Sequence, residues 1–311
     1  MRFQPSWIVE SLPPGEPDSL FIPLAPRATS LLWFKRLGLK MYVNDPVESR
    51  GMLLRALLQN QGELFSEPNR KKFNQSIEKP LGLSMNPFKA WEGRPFSREQ
   101  LDYLFFWREA ALEISEIGQR QVFWAAVHQV MAYWVGLGLA PKQAQMAPDE
   151  AMGYILGKQN ELIFAGQEPV FSLCLPMSEL GDEVEASVFL LPLPIQEKIR
   201  PEWDLDILFH AWFRGNGDLL AARSEMDEAR RGWVQKWDAS PDYGQILSKV
   251  GKARYCVVSW SGSDLPPRLH EEMVANPFRN AFARLFPSSR LLMKTAQRQD
   301  DSYDFLLIMQ R

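Results

Sequence analysis

Few residues in this sequence have the types and spacing that metal binding or thiol chemistry requires. The three histidines, His128, His210 and His270, have no partner at ligand spacing, so we expect no metal site. The two cysteines, Cys174 and Cys256, lie in apolar runs, which is typical of buried free thiols. Two cysteines also exclude a disulfide framework and a cysteine-rich zinc site.

One basic cluster has a composition suited to phosphate. Arg70, Lys71 and Lys72 are consecutive in a proline-punctuated segment, 65–95, which predicts a loop. Such a cluster could contact the backbone of a nucleic acid. The alternative interpretation is an ordinary solvated surface.

Charge and hydropathy limit the function classes. The 311-residue chain has a formal net charge of −3, which argues against nucleic-acid binding through overall charge but leaves a local basic groove open. No apolar run reaches the ~20 residues needed to cross a bilayer, and the first residues lack the apolar core of a signal peptide. We therefore predict a cytoplasmic protein with no membrane contact.

The elements that must position these residues begin as an alternation of strand and helix. Strand patterns cover 19–24 and 40–43, and each is followed by a helix pattern, over 29–37 and 47–60. Short connections of this kind favour a parallel sheet covered by helices. Strand patterns return later in the chain, and the last two predict a closing antiparallel hairpin: 169–175, 186–191, 254–260, 290–295 and 303–309.

A helical region separates the two groups of strands. Ser97 and Gln100 form a capping-box signal at the start of the first of its long helices. We predict a helical insertion over 66–166 in an α/β domain formed by 1–65 and 167–311. The helices of 99–137 are rich in aromatic residues, which indicates either a buried core or a surface for a partner protein.

The order of the elements and the residues at the strand ends match a known pattern. The strand at 40–43 ends in Asn44-Asp45-Pro46, and three further segments lie at strand ends: 21–28 at the first strand, 172–180 at the third and 188–194 at the fourth. This order resembles the Dam-like adenine-specific DNA methyltransferases, which use S-adenosylmethionine. The resemblance implies a three-layer, Rossmann-like α/β methyltransferase sheet with a closing antiparallel hairpin and an inserted helical region.

The departures from this family fall on its catalytic motif. Leu191, Pro192, Leu193 and Pro194 stand where the family has Asp-Pro-Pro-Tyr. Leu191 cannot accept a hydrogen bond from a target amino group, and Pro194 has no ring to stack on an extruded base. The resemblance therefore implies a degenerate motif without catalytic residues.

The cofactor positions are also altered. Ala25 and Arg27 stand in the place of the family's glycine loop, in which the missing Cβ lets the backbone approach the cofactor. Asn44 and Asp45 match the family's second strand, where an acid usually holds the ribose hydroxyls. Asn-Asp-Pro also favours a turn and a helix cap, so both interpretations stay open. We expect a vestigial pocket with no cofactor, or S-adenosylmethionine if the pocket still binds it.

These observations lead to one leading hypothesis and two alternatives. The leading hypothesis is a catalytically silent adenine DNA methyltransferase homologue that acts as a binding or scaffolding subunit in prokaryotic DNA modification or defence. Its partners would be an active methyltransferase or another subunit, through helices 99–137, or DNA. The first alternative is an active enzyme that uses displaced acids, and the second is a non-catalytic nucleic-acid-binding module. The displaced acids would be Asp45, Glu179, Asp182 or Glu183.

Overall fold

The computed structural model describes residues 5–15, 17–76, 86–93, 95–136, 146–180, 184–193, 204–231, 243–262, 267–297 and 303–311. Within them the chain is an α/β protein built on one mixed sheet. It divides into two compact units. The sheet unit comprises Met1–Pro46, Gly166–Glu197 and Ala229–Arg311, and the helical unit comprises Val47–Ala165 and Lys198–Glu228.

The sheet unit contains seven described strands in the order β3-β2-β1-β4-β5-β7-β6. Strands β1 to β5 pair in parallel with one another, whereas β7 is antiparallel to both β5 and β6. The closing hairpin predicted from the sequence is therefore confirmed. The strands are β1 (Ser19–Ile22), β2 (Lys40–Asn44), β3 (Val170–Leu173), β4 (Val188–Pro192), β5 (Tyr255–Gly262), β6 (Arg290–Gln297) and β7 (Tyr303–Gln310).

The central strands are apolar on both faces because parallel sheets are covered on both sides. All five residues of β4 are buried. On one face, Phe21, Phe189 and Cys256 pack with the described helices that precede and follow β5 into one apolar cluster. The helices of this unit are α1 (Pro5–Glu10), α2 (Ala28–Arg36), α10 (Tyr243–Ser248), α11 (Pro267–His270) and α12 (Asn276–Leu285).

Two local signals explain where α2 ends and β2 begins. The last turn of α2 carries Lys35 and Arg36, which favour the negative end of the helix dipole. Gly38 then adopts φ +72°, a left-handed conformation that glycine tolerates best. The chain turns there and enters β2 two residues later.

The helical unit contains helices and no described strand. Its first long helix, α5, is capped by Ser97 and Gln100 through reciprocal backbone bonds, which confirms the predicted capping box. The unit's helices are α3 (Glu48–Leu54, continued by a π-helical turn at Arg55–Gln59), α4 (Glu67–Ser76), α5 (Arg98–Leu112), α6 (Ile117–Trp134), α7 (Pro148–Leu162), α8 (Leu205–Arg214) and α9 (Leu219–Ala229).

The unit boundaries differ from the insertion expected over 66–166. The helical unit already begins at Val47 and also takes in 198–228 from later in the chain. The loop expected over 65–95 is wrong at its start, because α4 occupies Glu67–Ser76. Pro68 falls in the first turn of α4, where a missing N–H costs nothing. None of the helices in the described part of the chain is long and apolar enough to cross a membrane.

Candidate functional site

The sheet unit has a topological switch at β1, and this directs attention to the carboxyl ends of its strands. Strand β1 lies between β2 and β4, so the chain order runs outward in opposite directions from this point. Open α/β sheets bind ligands in the crevice outside the carboxyl ends at such a switch. The loop after β1 holds Ala25 and Arg27, β2 ends at Asn44, and β4 ends at Pro192.

The side chain of Asn44 links the loops that follow β1 and β3. Its Nδ2 donates to the carbonyl oxygen of Pro23 at 2.9 Å and to that of Leu175 at 3.1 Å. Its Oδ1 accepts from the backbone N–H of Leu175 at 2.9 Å. Asn44 is fully buried. Both donors of the amide and its carbonyl are thus bonded to backbone groups of the chain itself.

The loop after β1 is closed by a second bond to β2. The backbone N–H of Ala25 donates to the carbonyl oxygen of Asn44 at 2.9 Å, and Ala25 is buried. Pro26 has no N–H to offer a ligand. Arg27 is exposed and precedes α2 without a side-chain capping bond. Of the two loop positions expected to line a cofactor pocket, one is buried in the protein and the other lies at the surface.

The acids considered as replacements for catalytic groups lie in different environments. Asp45 is fully buried, and its backbone N–H donates to the carbonyl oxygen of Leu173 at 3.3 Å. Glu179 is exposed in the short 3₁₀ turn Met177–Glu179. Asp182 and Glu183 lie outside the described residues. Of the described acids, Asp45 is therefore a buried carboxylate after β2, whereas Glu179 is an exposed carboxylate after β3.

The segment aligned with the degenerate catalytic motif belongs to the core. Leu191 has 1% of its surface exposed and packs in the same apolar cluster as Leu24 and Met177. Pro192 is the last residue of β4, and Leu193 donates its backbone N–H to the carbonyl oxygen of Ser259 at 2.8 Å. Pro194 lies outside the described residues.

Two buried polar atoms near the carboxyl end of β5 have no hydrogen-bond partner among the described residues. They are Ser259 Oγ and Trp260 Nε1. The two side chains point to opposite faces of the sheet because successive residues of a strand alternate. On its face, Trp260 stacks on Phe305 at a ring-centroid distance of 5.1 Å. An unpaired buried polar group is costly, and both atoms are enclosed by the protein, so they offer no accessible contact to a ligand.

The basic cluster lies on a helix in the helical unit. Arg70 and Lys71 are exposed on α4, and Arg70 pairs with Glu67 at 3.7 Å between Nη1 and Oε2. The side chain of Lys72 lies outside the described part of the structure. This ion pair is about half exposed, so it is weak and would compete little with a phosphate.

The aromatic helices expected to contact a partner are packed mainly against each other. Trp107 is fully buried on α5 and stacks on Trp134 of α6 at 5.6 Å between centroids. The exposed apolar side chains are at the corner between these helices, where Leu112 is 48% and Ile117 61% exposed. Trp107, Phe123 and Tyr133 therefore belong to the core of the helical unit, and the other aromatic side chains of these two helices are half-buried.

A buried polar chain in the helical unit was not predicted from the sequence. Ser49 Oγ lies 3.0 Å from His210 Nδ1, and His210 Nε2 lies 3.2 Å from Glu225 Oε2. Ser49 is fully buried and His210 nearly so. The three residues come from α3, α8 and α9, and the first two are 161 positions apart. Because that separation leaves no local pattern, the sequence shows only that His210 has no partner at ligand spacing and does not predict this hydrogen-bonded series.

The protonation states of Ser49, His210 and Glu225 follow from which of their atoms can donate a hydrogen bond and which can accept one. A carboxylate can only accept, so Nε2 of His210 carries the proton donated to Glu225, and the Ser49 hydroxyl donates to Nδ1. Burial lowers the pKa of His210, which favours this neutral ring. A serine, a histidine and an acid in hydrogen-bonded series also form a nucleophile triad. Here the Ser49 hydroxyl is fully buried and cannot contact a substrate. The three side chains therefore connect α3 to α8 and α9 by hydrogen bonds.

Comparison with known proteins does not assign this chain to a family. No protein-family model matches it, and no curated protein matches it. The described residues also contain no group of three histidine, cysteine, aspartate or glutamate side chains that could hold a metal ion.

Proposed function

We propose that this chain is a catalytically silent homologue of the adenine DNA methyltransferases and acts as a binding or scaffolding subunit. The observation that carries the proposal is the bonding of Asn44. Its amide is saturated by backbone groups of the loops after β1 and β3, at the edge where a cofactor would enter. Both N–H groups of the amide are used inside the protein, so Asn44 has no donor left to offer a cofactor.

The donor set of the loop after β1 also fits S-adenosylmethionine poorly. A cofactor cradle needs backbone N–H groups that point outward and room for close approach. In this loop the N–H of Ala25 is bonded to Asn44, and Pro26 has none. We therefore assign no step of a methyl transfer to these residues.

The position of Leu191 supports a silent rather than a displaced catalytic centre. Its side chain completes the apolar cluster of the sheet unit and offers no acceptor to an amino group. A charged acid would be unstable in that environment without a partner. The sheet is therefore well packed at this position, and a protein that only binds a partner needs a stable fold but no catalytic acid there.

For the scaffolding role, we propose that the surface that binds the partner lies on the helical unit. Leu112 and Ile117 lie at the exposed corner of α5 and α6, and large apolar side chains exposed together mark protein contacts more often than single ones. We propose an active methyltransferase or another subunit of a prokaryotic modification or defence system as the partner. A DNA contact through Arg70, Lys71 and Lys72 is the second candidate, supported by the exposure of Arg70 and Lys71.

The experiment is calorimetric titration of the full chain with S-adenosylmethionine and with S-adenosylhomocysteine. An active adenine DNA methyltransferase is the positive control. We expect no heat of binding from folded protein, and no methyl incorporation into duplex DNA. Stoichiometric binding would overturn the proposal.

A further inference from the structure

One end of the sheet unit collects basic side chains. At this end β5 and β6 begin, β7 ends, and α12 ends just before β6. The segments that meet there, 243–258, 281–297 and 305–311, contain no acidic residue, although the whole chain has a formal net charge of −3. Positive charge is therefore segregated at this end. The basic residues of the three segments are Lys249, Lys252, Arg254, Arg284, Arg290, Lys294 and Arg311.

The three lysines of this set are engaged by other parts of the chain. Lys249 donates to a backbone carbonyl oxygen at 2.6 Å, and Lys294 donates to Ser11 Oγ at 3.1 Å. Lys252 forms an ion pair with Glu185. The four arginines are all exposed, and we call them the arginine cluster: Arg254, Arg284, Arg290 and Arg311.

The backbone brings the arginine cluster together. Arg290 begins β6 directly opposite the last residue of β7. The backbone N–H of Arg311, which follows β7, donates to the carbonyl oxygen of Arg254, which precedes β5, at 2.9 Å. Since neighbouring strands lie about 4.8 Å apart, these three strand ends span roughly 10 Å. The guanidinium of Arg311 lies 4.5 Å from the centre of the Phe286 ring, two residues beyond Arg284.

Local roles do not explain this convergence. An outward charge such as Arg290 protects an open edge strand from unwanted pairing. Arg284 lies in the last turn of α12, where a cation favours the helix dipole. Neither reason applies to Arg254 and Arg311, because β5 and β7 each have a strand on both sides. Four like charges on one corner repel each other unless an anion lies among them.

We propose that the arginine cluster binds the phosphate backbone of duplex DNA without reading its sequence. Duplex DNA carries one negative charge per about 1.7 Å of its axis, so a patch roughly 10 Å wide faces several phosphates at once. The guanidinium group is planar and can donate two parallel hydrogen bonds to a phosphate. Contacts to phosphate alone carry no sequence information.

This contact does not rest on the silent methyltransferase site. The cluster lies at the amino end of β5, whereas Asn44 and Leu191 lie towards the carboxyl ends of the parallel strands. It is also distinct from the basic cluster on α4 of the helical unit. Binding of S-adenosylmethionine would overturn the proposed function and leave this inference standing, whereas a failure to bind DNA through the arginines would do the reverse.

The first measurement is the fluorescence anisotropy of a labelled duplex titrated with the full chain at several salt concentrations. We expect a dissociation constant of about 10 μM at about 50 mM salt. The plot of log affinity against log salt should have a slope of about −3 to −4, because each phosphate contact contributes about 0.9. Two duplexes of unrelated sequence should bind equally.

Variants of the arginine cluster identify the surface. Arg284→Gln combined with Arg290→Gln should weaken binding about tenfold and reduce the magnitude of the slope by about 2, because two phosphate contacts are lost. Arg290→Gln alone should reduce it by about 1. Arg268→Gln removes the same single charge and is the matched control, since the Arg268 side chain is 88% exposed but lies on α11. It should leave the slope unchanged.

A conservative pair of substitutions separates charge from folding. Arg284→Lys combined with Arg290→Lys keeps both positive charges and should retain the slope of the parent chain. Circular dichroism of each variant shows whether it is folded.

Four results would overturn the inference. They are an absence of DNA binding at low salt, which would leave an acidic protein as the partner of this corner, and a slope that Arg284→Gln with Arg290→Gln does not change. The third is an equal loss of binding in Arg268→Gln. The fourth is binding that depends on Arg70→Gln instead, which would place the DNA contact on α4.

Discussion

The amide of Asn44 and the backbone of Leu175 form a reciprocal pair of hydrogen bonds, of 3.1 Å and 2.9 Å, across 131 positions of sequence. The pair joins the end of β2 to the residues after β3. A third bond, to the carbonyl oxygen of Pro23, brings in the loop after β1. A residue expected from its motif to line a cofactor pocket is therefore a structural tie at the carboxyl edge of the sheet.

This tie predicts a large loss of stability in Asn44→Ala. The substitution removes three hydrogen bonds and leaves buried backbone groups unpaired, so the free energy of unfolding should fall by about 2–4 kcal/mol. Asn60→Ala is the control, because the Asn60 side chain also makes three hydrogen bonds to backbone groups, one donated and two accepted, but in an exposed turn. We expect it to cost about 1 kcal/mol in urea unfolding. Equal losses in the two variants would contradict a special role for Asn44.

The buried chain Ser49–His210–Glu225 predicts a loss of stability in mild acid. Burial holds the pKa of His210 below its ordinary value of 6.5. The unfolded chain therefore takes up the proton first as the pH falls through 6.5, and the folded state loses stability relative to it. Glu225 and Glu48 oppose this shift, whereas Arg214 reinforces it.

The measurement is the urea midpoint as a function of pH in the parent chain and in His210→Gln. The variant should lose less stability than the parent between about pH 7 and pH 5, because the site no longer titrates. Ser49→Ala is a second variant that removes the hydroxyl donor and keeps the titrating ring. An identical pH profile in parent and His210→Gln would show that His210 does not carry the acid sensitivity.

The buried Lys35 predicts that the sheet unit gains stability as the pH becomes alkaline. Lys35 is 2% exposed, and burial lowers its pKa from 10.5 to about 8. Below about 8 both states hold the proton, so the full cost of burying the charge is present. As the pH rises from about 8 towards 10.5, the folded state loses its proton first and the cost declines.

Replacing this lysine with an apolar side chain of similar length should therefore stabilise the protein at neutral pH. We expect Lys35→Met to raise the free energy of unfolding by about 1–3 kcal/mol near pH 7, and the gain to shrink at about pH 10. Lys252→Met is the control, since the Lys252 side chain is 76% exposed, and it should give no such gain. A gain that did not change with pH would exclude desolvation as its cause.

The sequence predicted the features that local chemistry determines. The capping box at Ser97 and the closing hairpin follow from residue types a few positions apart, and the α/β class follows from the alternation of strand and helix patterns. The tie at Asn44 and the chain through His210 were not predictable, because each joins residues more than a hundred positions apart. The prolines of 65–95 predict a loop and conceal α4, because Pro68 is compatible with the first turn of a helix.

The packing of Leu191 predicts that an acid cannot be introduced at this position without a large loss of stability. In Leu191→Asp the carboxylate would lie among apolar side chains such as Leu24, Met177 and Trp260. The charged form would be strongly disfavoured and the pKa of the new acid raised. We expect the free energy of unfolding to fall by about 4 kcal/mol or more near pH 7, and by less in acid, where the group is neutral in both states.

Leu193→Asp is the matched control, because Leu193 lies two residues further on and is only partly buried. It should cost less than half as much, with little dependence on pH. A Leu191→Asp variant as stable as the parent chain would mean that the carboxylate reaches water or a partner at the edge of the sheet. The position would then be able to hold an acceptor for a substrate, and the case for a silent site would lose one of its supports.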